Sequence, residues 1–433
     1  MSKHTRRDFI NKTVLAGGFA LAAGAISCRK QKQTFDLPHT APDGPVLKAG
    51  LVGCGSRGTG AALNFLDAGP SLELVALGDV FDDKLQKCRA NIKKERGIEI
   101  DAEKCFVGFD AFEKVIDAGV DIVLLATPPY FRPEHFEAAV KAGKHIFMEK
   151  PVAVDPAGIR SILINGMRAK EMGLSVVTGT IKRHQVDYLA TYEKVSQGAI
   201  GEIVAGNCYY NQGKLWHVNP RAEWSEMEAM IRNWVNWCWL SGDHIVEQHI
   251  HNIDLMNWFI GSHPLKATGF GSRQRRTTGD QYDNFSVDYI YPDNVHVHSM
   301  CRQINGCSTN VTDNIRGTHG YTNCENTIFS PQGEVRWKFP LTEEQEQDRW
   351  HFFWRAFVQE HIDLVTAIRN KQPINEAQQI AESTLTAIMG RISAYTGKVV
   401  TWDELLNSEL KLGPKHFVMG DVNISKTIPV PGQ

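Results

Sequence analysis

No two of the nine cysteines in this 433-residue chain stand as a CxxC pair. That spacing is what a zinc ribbon or a thioredoxin-type redox centre needs, so neither is expected. Charge of one sign is also missing. Lys and Arg number 47 against 49 Asp and Glu, a net charge of −2. No basic stripe is present, which argues against a nucleic-acid partner. No apolar run is long enough to cross a bilayer; the nearest, Val14 to Ile26, is short and rich in Gly and Ala. Internal repeats and low-complexity tracts are absent. What remains is the composition of an ordinary globular protein, 42% hydrophobic and long enough for two cored domains.

The first 46 residues read as addressing rather than fold. Thr5-Arg6-Arg7-Asp8-Phe9-Ile10 is a twin-arginine export signal. Ala25-Ile26-Ser27-Cys28 resembles a lipoprotein cleavage site, which would leave a lipid on Cys28; plain signal cleavage nearby is the alternative. Residues 1–28 are taken as the signal and 29–46, with three prolines, as a polar linker. The expected location is the periplasm or cell envelope, with membrane contact through the lipid alone. The twin-arginine route carries folded proteins. Any cofactor would then be loaded before export and held tightly. A chain that folds before export is expected to keep its cysteines as buried thiols; Cys301 and Cys307 are the pair to check.

Residues 47–174 carry the strongest local pattern. A short apolar strand, Leu51-Val52, runs into Gly53-Cys-Gly55-Ser56-Arg57-Gly58, then a helical stretch, then a strand from Leu72 ending at Asp79. This is the dinucleotide fingerprint in its proper context. Gly53 allows the tight turn, Gly55 the close approach of a pyrophosphate, and Gly58 the packing of helix on strand. The helix start offers free N–H groups and partial positive charge. Asp79 suits the two ribose hydroxyls and repels a 2′-phosphate, so NAD is favoured. Arg57 is the one residue that argues for NADP.

Strands and helices then alternate. Asp121–Ala126 is a strand ending in Thr127-Pro128-Pro129. Pro133–Ala142 is a helix with His135 near its start, and His145–Met148 a strand ending in Glu149-Lys150-Pro151. The order predicts an α/β Rossmann domain with a doubly wound parallel sheet and ligands at the strands' carboxyl ends. Thr127, Pro128, His135, Glu149 and Lys150 join the glycine loop as cofactor-site candidates. Lys150, beside the nicotinamide, is also a candidate proton acceptor for a substrate hydroxyl. A cis bond at Pro151 would fit the turn.

Residues 175–400 are expected to form the substrate domain, with 401–433 as a tail. Gly242 to Trp258 has helical period, with Ile245, Ile250, Ile253 and Met256 inward. His244, Glu247, His251 and Asp254 then share one face, suited to proton transfer near neutral pH. His244 and His249 also fit as core histidines. A metal site at His244, Glu247 and His251 is set aside for want of a further ligand, so no metal is expected. Six of ten Trp lie between 216 and 258. Most are expected in the core, with loop-borne Trp216 as a sugar contact. Arg183, His184 and Tyr188 face either the substrate or the core. Strands are expected at 203–210, 285–291, 295–302 and 335–339, and helices at 350–369 and 376–395.

The glycine loop, Glu149-Lys150-Pro151 and Glu247-x-x-x-His251-x-x-Asp254 together resemble the Gfo/Idh/MocA oxidoreductase family over Leu47 to Gly397. The resemblance implies a Rossmann domain followed by an α/β domain with a large, mostly antiparallel open sheet, often a dimer interface. It implies that Lys150 and His251 act on the oxidised hydroxyl. It also implies an acidic residue four before the histidine, usually Asp and here Glu247, which is expected to hold His251. The function so implied is an NAD-dependent oxidoreductase of a secondary alcohol on a sugar or glycoside, with C3 the carbon considered. A redox-neutral NAD-dependent glycosidase is the alternative. It needs an extra base, for which Tyr188, His184 and His217 are candidates. A sugar-binding lipoprotein without catalysis is the third reading.

Overall fold

The computed structural model describes residues 37–433, which form one compact unit. The expected export signal, Cys28 and the first half of the expected linker lie outside the described residues. The second half of the linker is docked: Ala41 is buried and its N–H donates to Ala68 O at 2.7 Å.

Six strands make the first sheet: β1 (Leu47–Val52), β2 (Leu72–Asp79), β3 (Cys105–Val107), β4 (Ile122–Leu125), β5 (His145–Met148) and β6 (Val176–Thr178). Their order is β3-β2-β1-β4-β5-β6, and every pairing is parallel. The central strands are buried on both faces, β4 wholly so, which is why they read as continuous apolar runs. The strand expected to open the second domain, β6, is the last strand of this first sheet. Its continuous Val-Val run lacks the alternation that a one-sided sheet would impose.

The second sheet has nine strands in the order β14-β13-β12-β11-β7-β10-β9-β8-β15. Its long members are β7 (Ile203–Gln212), β8 (Lys266–Ser272), β9 (Asn284–Ile290), β10 (His296–Gln303) and β11 (Asn310–Gly317). The short ones are β12 (Gly320–Thr322), β13 (Thr327–Phe329), β14 (Val335–Lys338) and β15 (Val400–Thr401). Only β7 with β10 is parallel. Along β9 and β10 buried residues alternate with partly or fully exposed ones, as a sheet with one open face requires. Helices Ile250–Ile260 and Ala377–Thr396 cover the buried face.

One expected helix is broken. His244–Glu247 and Ile250–Ile260 are separate, and between them the His249 N–H reaches back five residues to His244 O at 3.0 Å. Such wide turns interrupt a helix without disturbing its apolar period, so the sequence pattern did not reveal it. The tail is folded against the body. Val422 is buried with Phe81, Phe131, Met230 and Trp239, tying both domains together. All eight described cysteines are free thiols; Cys307 is exposed and Cys301 buried.

Candidate active site

The glycine loop has the geometry that its three glycines were expected to serve. Gly53 has φ +98°, and a Cβ there would lie 2.7 Å from the Ala126 carbonyl carbon. A Cβ on Gly58 would fall 1.8 Å from Gly53 O, so helix and turn touch only because it is absent. Gly55 differs: nothing lies within 4 Å of where its Cβ would be. That open space sits over the start of helix Ser56–Leu66, whose first N–H groups have no side-chain cap. It is a cradle for an anion such as a pyrophosphate.

Asp79 ends β2 beside this loop. Its carboxylate accepts from Cys54 N–H at 2.7 Å and from Phe81 N–H at 2.9 Å. Burial pushes its pKa up against these donors. Arg57 points elsewhere. Its guanidinium donates to the Glu149 carboxylate and lies 4.5 Å from the centre of the Phe357 ring. The one residue that argued for a 2′-phosphate is therefore engaged by Glu149 and Phe357. Thr127 is held by His135, hydroxyl to Nδ1 at 3.2 Å. His135 is buried and stacks on Phe112 at 4.2 Å. Burial, then the charge of Arg132, drive its pKa down to about 3. It supports Thr127 from below. Pro128 follows in extended backbone and starts the next turn.

Lys150, Thr180, Lys182, Ile250, His251 and Asp254 line a narrow pocket at the carboxyl edge of the first sheet. The Lys150–Pro151 bond is cis. Lys150 Nζ donates to the Glu247 carbonyl at 2.6 Å and to its carboxylate at 3.2 Å. The other Glu247 oxygen accepts from Gln248, which in turn accepts from Tyr210 at 3.0 Å. Glu247 thus holds Lys150 rather than His251, a correction that follows from the broken helix: the i, i+4 geometry does not survive the turn at residues 248–249. The His251 ring makes no hydrogen bond among the described residues. Burial, and then the charges of Lys150 and Lys182, hold it well below the usual histidine range. It is a neutral imidazole with both nitrogens available.

Asp254 borders the pocket but is fully engaged. Arg183 grips it with two bonds, 2.8 and 2.9 Å, and Ser383 donates at 2.8 Å. Arg183 packs behind it on Trp258. His184 faces away from the pocket. It bonds Asp363 at 2.6 Å and approaches Glu376 at 3.3 Å, and these carboxylates lift its pKa against burial. Tyr188 is buried, and burial pushes its hydroxyl pKa well up, so it is a poor base. Trp216 is loop-borne and 47% exposed, edge-on to Trp234. His184, Tyr188 and Trp216 do not line this pocket, nor does exposed His217. His244 bonds Asp243 at 2.9 Å, and His249 bonds Ser299 at 2.7 Å; both are core histidines. Among the described residues no cluster of three or more His, Cys, Asp or Glu could hold a metal ion.

Lys182 was passed over in favour of its neighbours. It is held by Asp313 at 2.7 Å, which also accepts from Asn252 at 2.8 Å. The tight turn Ile181–His184 sends successive side chains in different directions. Lys182 therefore reaches the pocket while Arg183 and His184 turn into the protein. A lysine four residues beyond the carboxyl end of β6 was the available clue.

Two family descriptions match this chain. "Oxidoreductase family, NAD-binding Rossmann fold" covers residues 47–177, and "GFO/IDH/MocA C-terminal domain" covers residues 188–322. The chain belongs to the Gfo/Idh/MocA oxidoreductase family. Its first domain is the family's NAD-binding Rossmann domain, and the glycine cradle and Asp79 fit that cofactor.

Among curated members, the chain is 23% identical over 245 residues to the scyllo-inositol 2-dehydrogenase (NAD(+)) of Bacillus subtilis, covering 57% of this chain and 63% of that one. It is 26% identical over 242 residues to a glycosyl hydrolase family 109 protein of Solibacter usitatus, covering 54% and 52%. It is 26% identical over 178 residues to the 2,7-anhydro-N-acetylneuraminate hydratase of Escherichia coli, covering 41% and 44%. The matches thus span less than two thirds of each relative. A scyllo-inositol dehydrogenase from Lactobacillus casei, solved with NAD(H) and scyllo-inositol, superposes with TM-score 0.61 at 22% identity over 82% of this chain and 99% of that one. At that identity the likeness shows the fold.

Proposed function

We propose that this protein is an NAD-dependent oxidoreductase of a secondary alcohol on a sugar or glycoside, with C3 as the carbon to test first. The observation that carries the reading is the meeting of Lys150 and a neutral, unbonded His251 in one pocket beside the cofactor domain. NAD supplies hydride acceptance at the carbinol carbon when bound. His251, an uncharged imidazole, polarises the reacting oxygen or exchanges its proton. Lys150 gives two of its N–H bonds to Glu247 and keeps one for the substrate oxygen, stabilising negative charge there. Glu247 orients Lys150, and Arg183 with Ser383 fixes Asp254 at the pocket wall. Lys150→Ala tests the assignment: turnover is expected to collapse with bound NAD unchanged, and full retention would overturn it.

A redox-neutral glycosidase is the second reading. It is favoured by the likeness to a glycosyl hydrolase and a hydratase, and by Lys182 as a further polar group in the pocket. Aryl glycosides separate the two. Phenol release without added NAD supports the glycosidase; accumulation of a keto-sugar supports the dehydrogenase.

The export signal, the lipid on Cys28 and an envelope location remain part of the proposal, and with them a cofactor held through export. The mass of the mature N-terminus tests the lipid. We also propose a homo-oligomer through the open face of the second sheet, where Phe270 is 73% exposed and Val311 also stands out. Sedimentation of Phe270→Glu against the wild type tests it.

A further inference from the structure

Helix Arg349–Arg369 runs down the first domain from the carboxyl edge of its sheet to the amino edge. At its end Arg369 bonds the carbonyls of Pro70 and Ser71, just before β2 begins. Higher up, Phe357 lies on Arg57, which bonds Glu149 at the end of β5. Between these points the inward face is His361, Leu364 and Val365, all buried, with the His361 ring 4.3 Å from Phe147. The same face, at spacings of three and four, continues upward as Phe357, Trp354, Phe353 and Trp350. At 1.5 Å per residue, Trp350 stands about 10 Å beyond Phe357 along the axis. The sheet has ended there. Ligands of doubly wound sheets bind in that region.

These four rings form a continuous ladder. Phe357 and Trp354 stack at 4.8 Å and 28°, Trp354 meets Trp350 edge-on at 5.4 Å, and Phe353 touches all three within 6.2 Å. Trp350 is nonetheless 68% exposed and Trp354 44%. Both ends of the ladder abut the neighbours of the pocket. At one end is Phe357, then Arg57 and Glu149, next to Lys150. At the other, Arg349 bonds Glu325 at 2.7 Å, and the Glu325 carbonyl accepts from Thr191. One turn before Thr191 is Tyr188, whose ring is 5.6 Å from Lys182 Nζ. These contacts tie the segment to residues on both sides of the pocket, and its aromatic face is left uncovered.

We propose that Trp350 and Trp354 form a carbohydrate subsite that stacks the second ring of a disaccharide or glycoside while the first ring reacts at Lys150 and His251. The pocket is narrow, so a second ring lies outside it. Indole faces pair with the C–H faces of pyranoses, and this is the exposed aromatic surface continuous with the pocket's neighbours. The proposal rests on the sugar-oxidoreductase reading of the pocket.

The test uses the full, NAD-loaded chain with cellobiose, lactose, gentiobiose and the methyl glycosides of their reacting hexoses. For its best disaccharide the wild type is expected to show kcat/KM about tenfold above the matching methyl glycoside, the yield of one good stacking contact. Trp350→Ala and Trp354→Ala should bring that ratio near one. The methyl-glycoside value and the rate of NAD release should not change. Trp354→Phe, which keeps the packing on Phe357, should fall between. Intrinsic fluorescence should respond to disaccharide in the wild type and respond less in the Ala variants. Equal oxidation of disaccharide and methyl glycoside by the wild type overturns the subsite and leaves the oxidoreductase reading standing. Disaccharide binding without oxidation of any panel member does the reverse. Faster NAD release from Trp354→Ala, or a change of oligomeric state, overturns the subsite by giving the ladder another occupant. A wild type that neither binds nor oxidises the panel overturns both.

Discussion

Replacing Gly55 with Ala separates the cofactor role of the glycine loop from its folding role. Gly55 has φ −69°, an angle open to any residue, and its added methyl group would meet no protein atom within 4 Å. The fold should barely register the change. Exchanging Gly for Ala at a helix N-cap costs about 1 kcal/mol or less, which for a chain of this size lowers Tm by only a few degrees. The methyl group instead enters the space above the uncapped helix start. Loss of close phosphate contact there should weaken NAD by at least about tenfold, or 1.4 kcal/mol. Gly58→Ala should behave in the opposite way. Its methyl group would lie 1.8 Å from Gly53 O, so backbone must move, and the cost is several kcal/mol of stability. The assay is thermal melting of both variants alongside NAD content per purified chain and refilling by titration. A Gly55→Ala protein that holds NAD like the wild type would refute the cradle argument. So would one that melts as low as Gly58→Ala.

Asp79→Ala should loosen NAD and narrow the preference for it over NADP, read by titration with both; an unchanged ratio would count against Asp79 as the ribose partner. Glu247→Gln should lower kcat more than it raises KM, because Lys150 loses its charged partner at 3.2 Å while the pocket keeps its shape. A KM effect alone would move Glu247 to substrate binding. Acid should destabilise the fold in a defined window. His135 and His249 have native pKa values near 3 against about 6.5 unfolded, so their neutral burial contributes fully above pH 6.5. That contribution is lost as pH falls from there, at up to about 1.4 kcal/mol per histidine per pH unit. His184, whose pKa is raised, is charged in the fold throughout and gains its unfolded-state proton near pH 6.5, so it opposes the slope only above about pH 6. Melting from pH 7 to pH 5 should show the fall, and a flat profile would contradict it.

The parts of the site that lie within a few residues of one another were legible in the sequence. Gly53, Gly55, Gly58 and Asp79 follow from one strand–turn–helix–strand passage, whose geometry is fixed locally. The order of β1, β2, β4 and β5 follows from buried apolar runs separated by helices, while the short, partly exposed β3 was not read. Lys150 and His251 were legible as types at strand and helix ends, but not their partners. Glu247 was assigned to His251 because an unbroken helix was assumed, and the turn at Gln248–His249 leaves no mark on the apolar period. Arg183 and His184 looked like substrate residues because a polar run at a strand end gives no hint of which side chains turn inward. Their carboxylate partners, Asp254, Asp363 and Glu376, lie 71, 179 and 192 residues further along the chain. Nothing local announced that helix Arg349–Arg369 returns to the first domain and places Phe357 on Arg57.

The central claim is hydride exchange between a sugar carbon and the NAD held by this chain. The direct measurement is mass spectrometry of the bound cofactor after incubating the natively purified protein with carbon-deuterated hexoses, inositols and methyl glycosides. The account predicts that NAD co-purifies and that one member of the panel delivers deuterium to it, with transfer abolished in His251→Ala and Lys150→Ala. A chain that carries NAD but acquires no deuterium from any of them, or that exchanges it equally well without Lys150 and His251, would contradict the account.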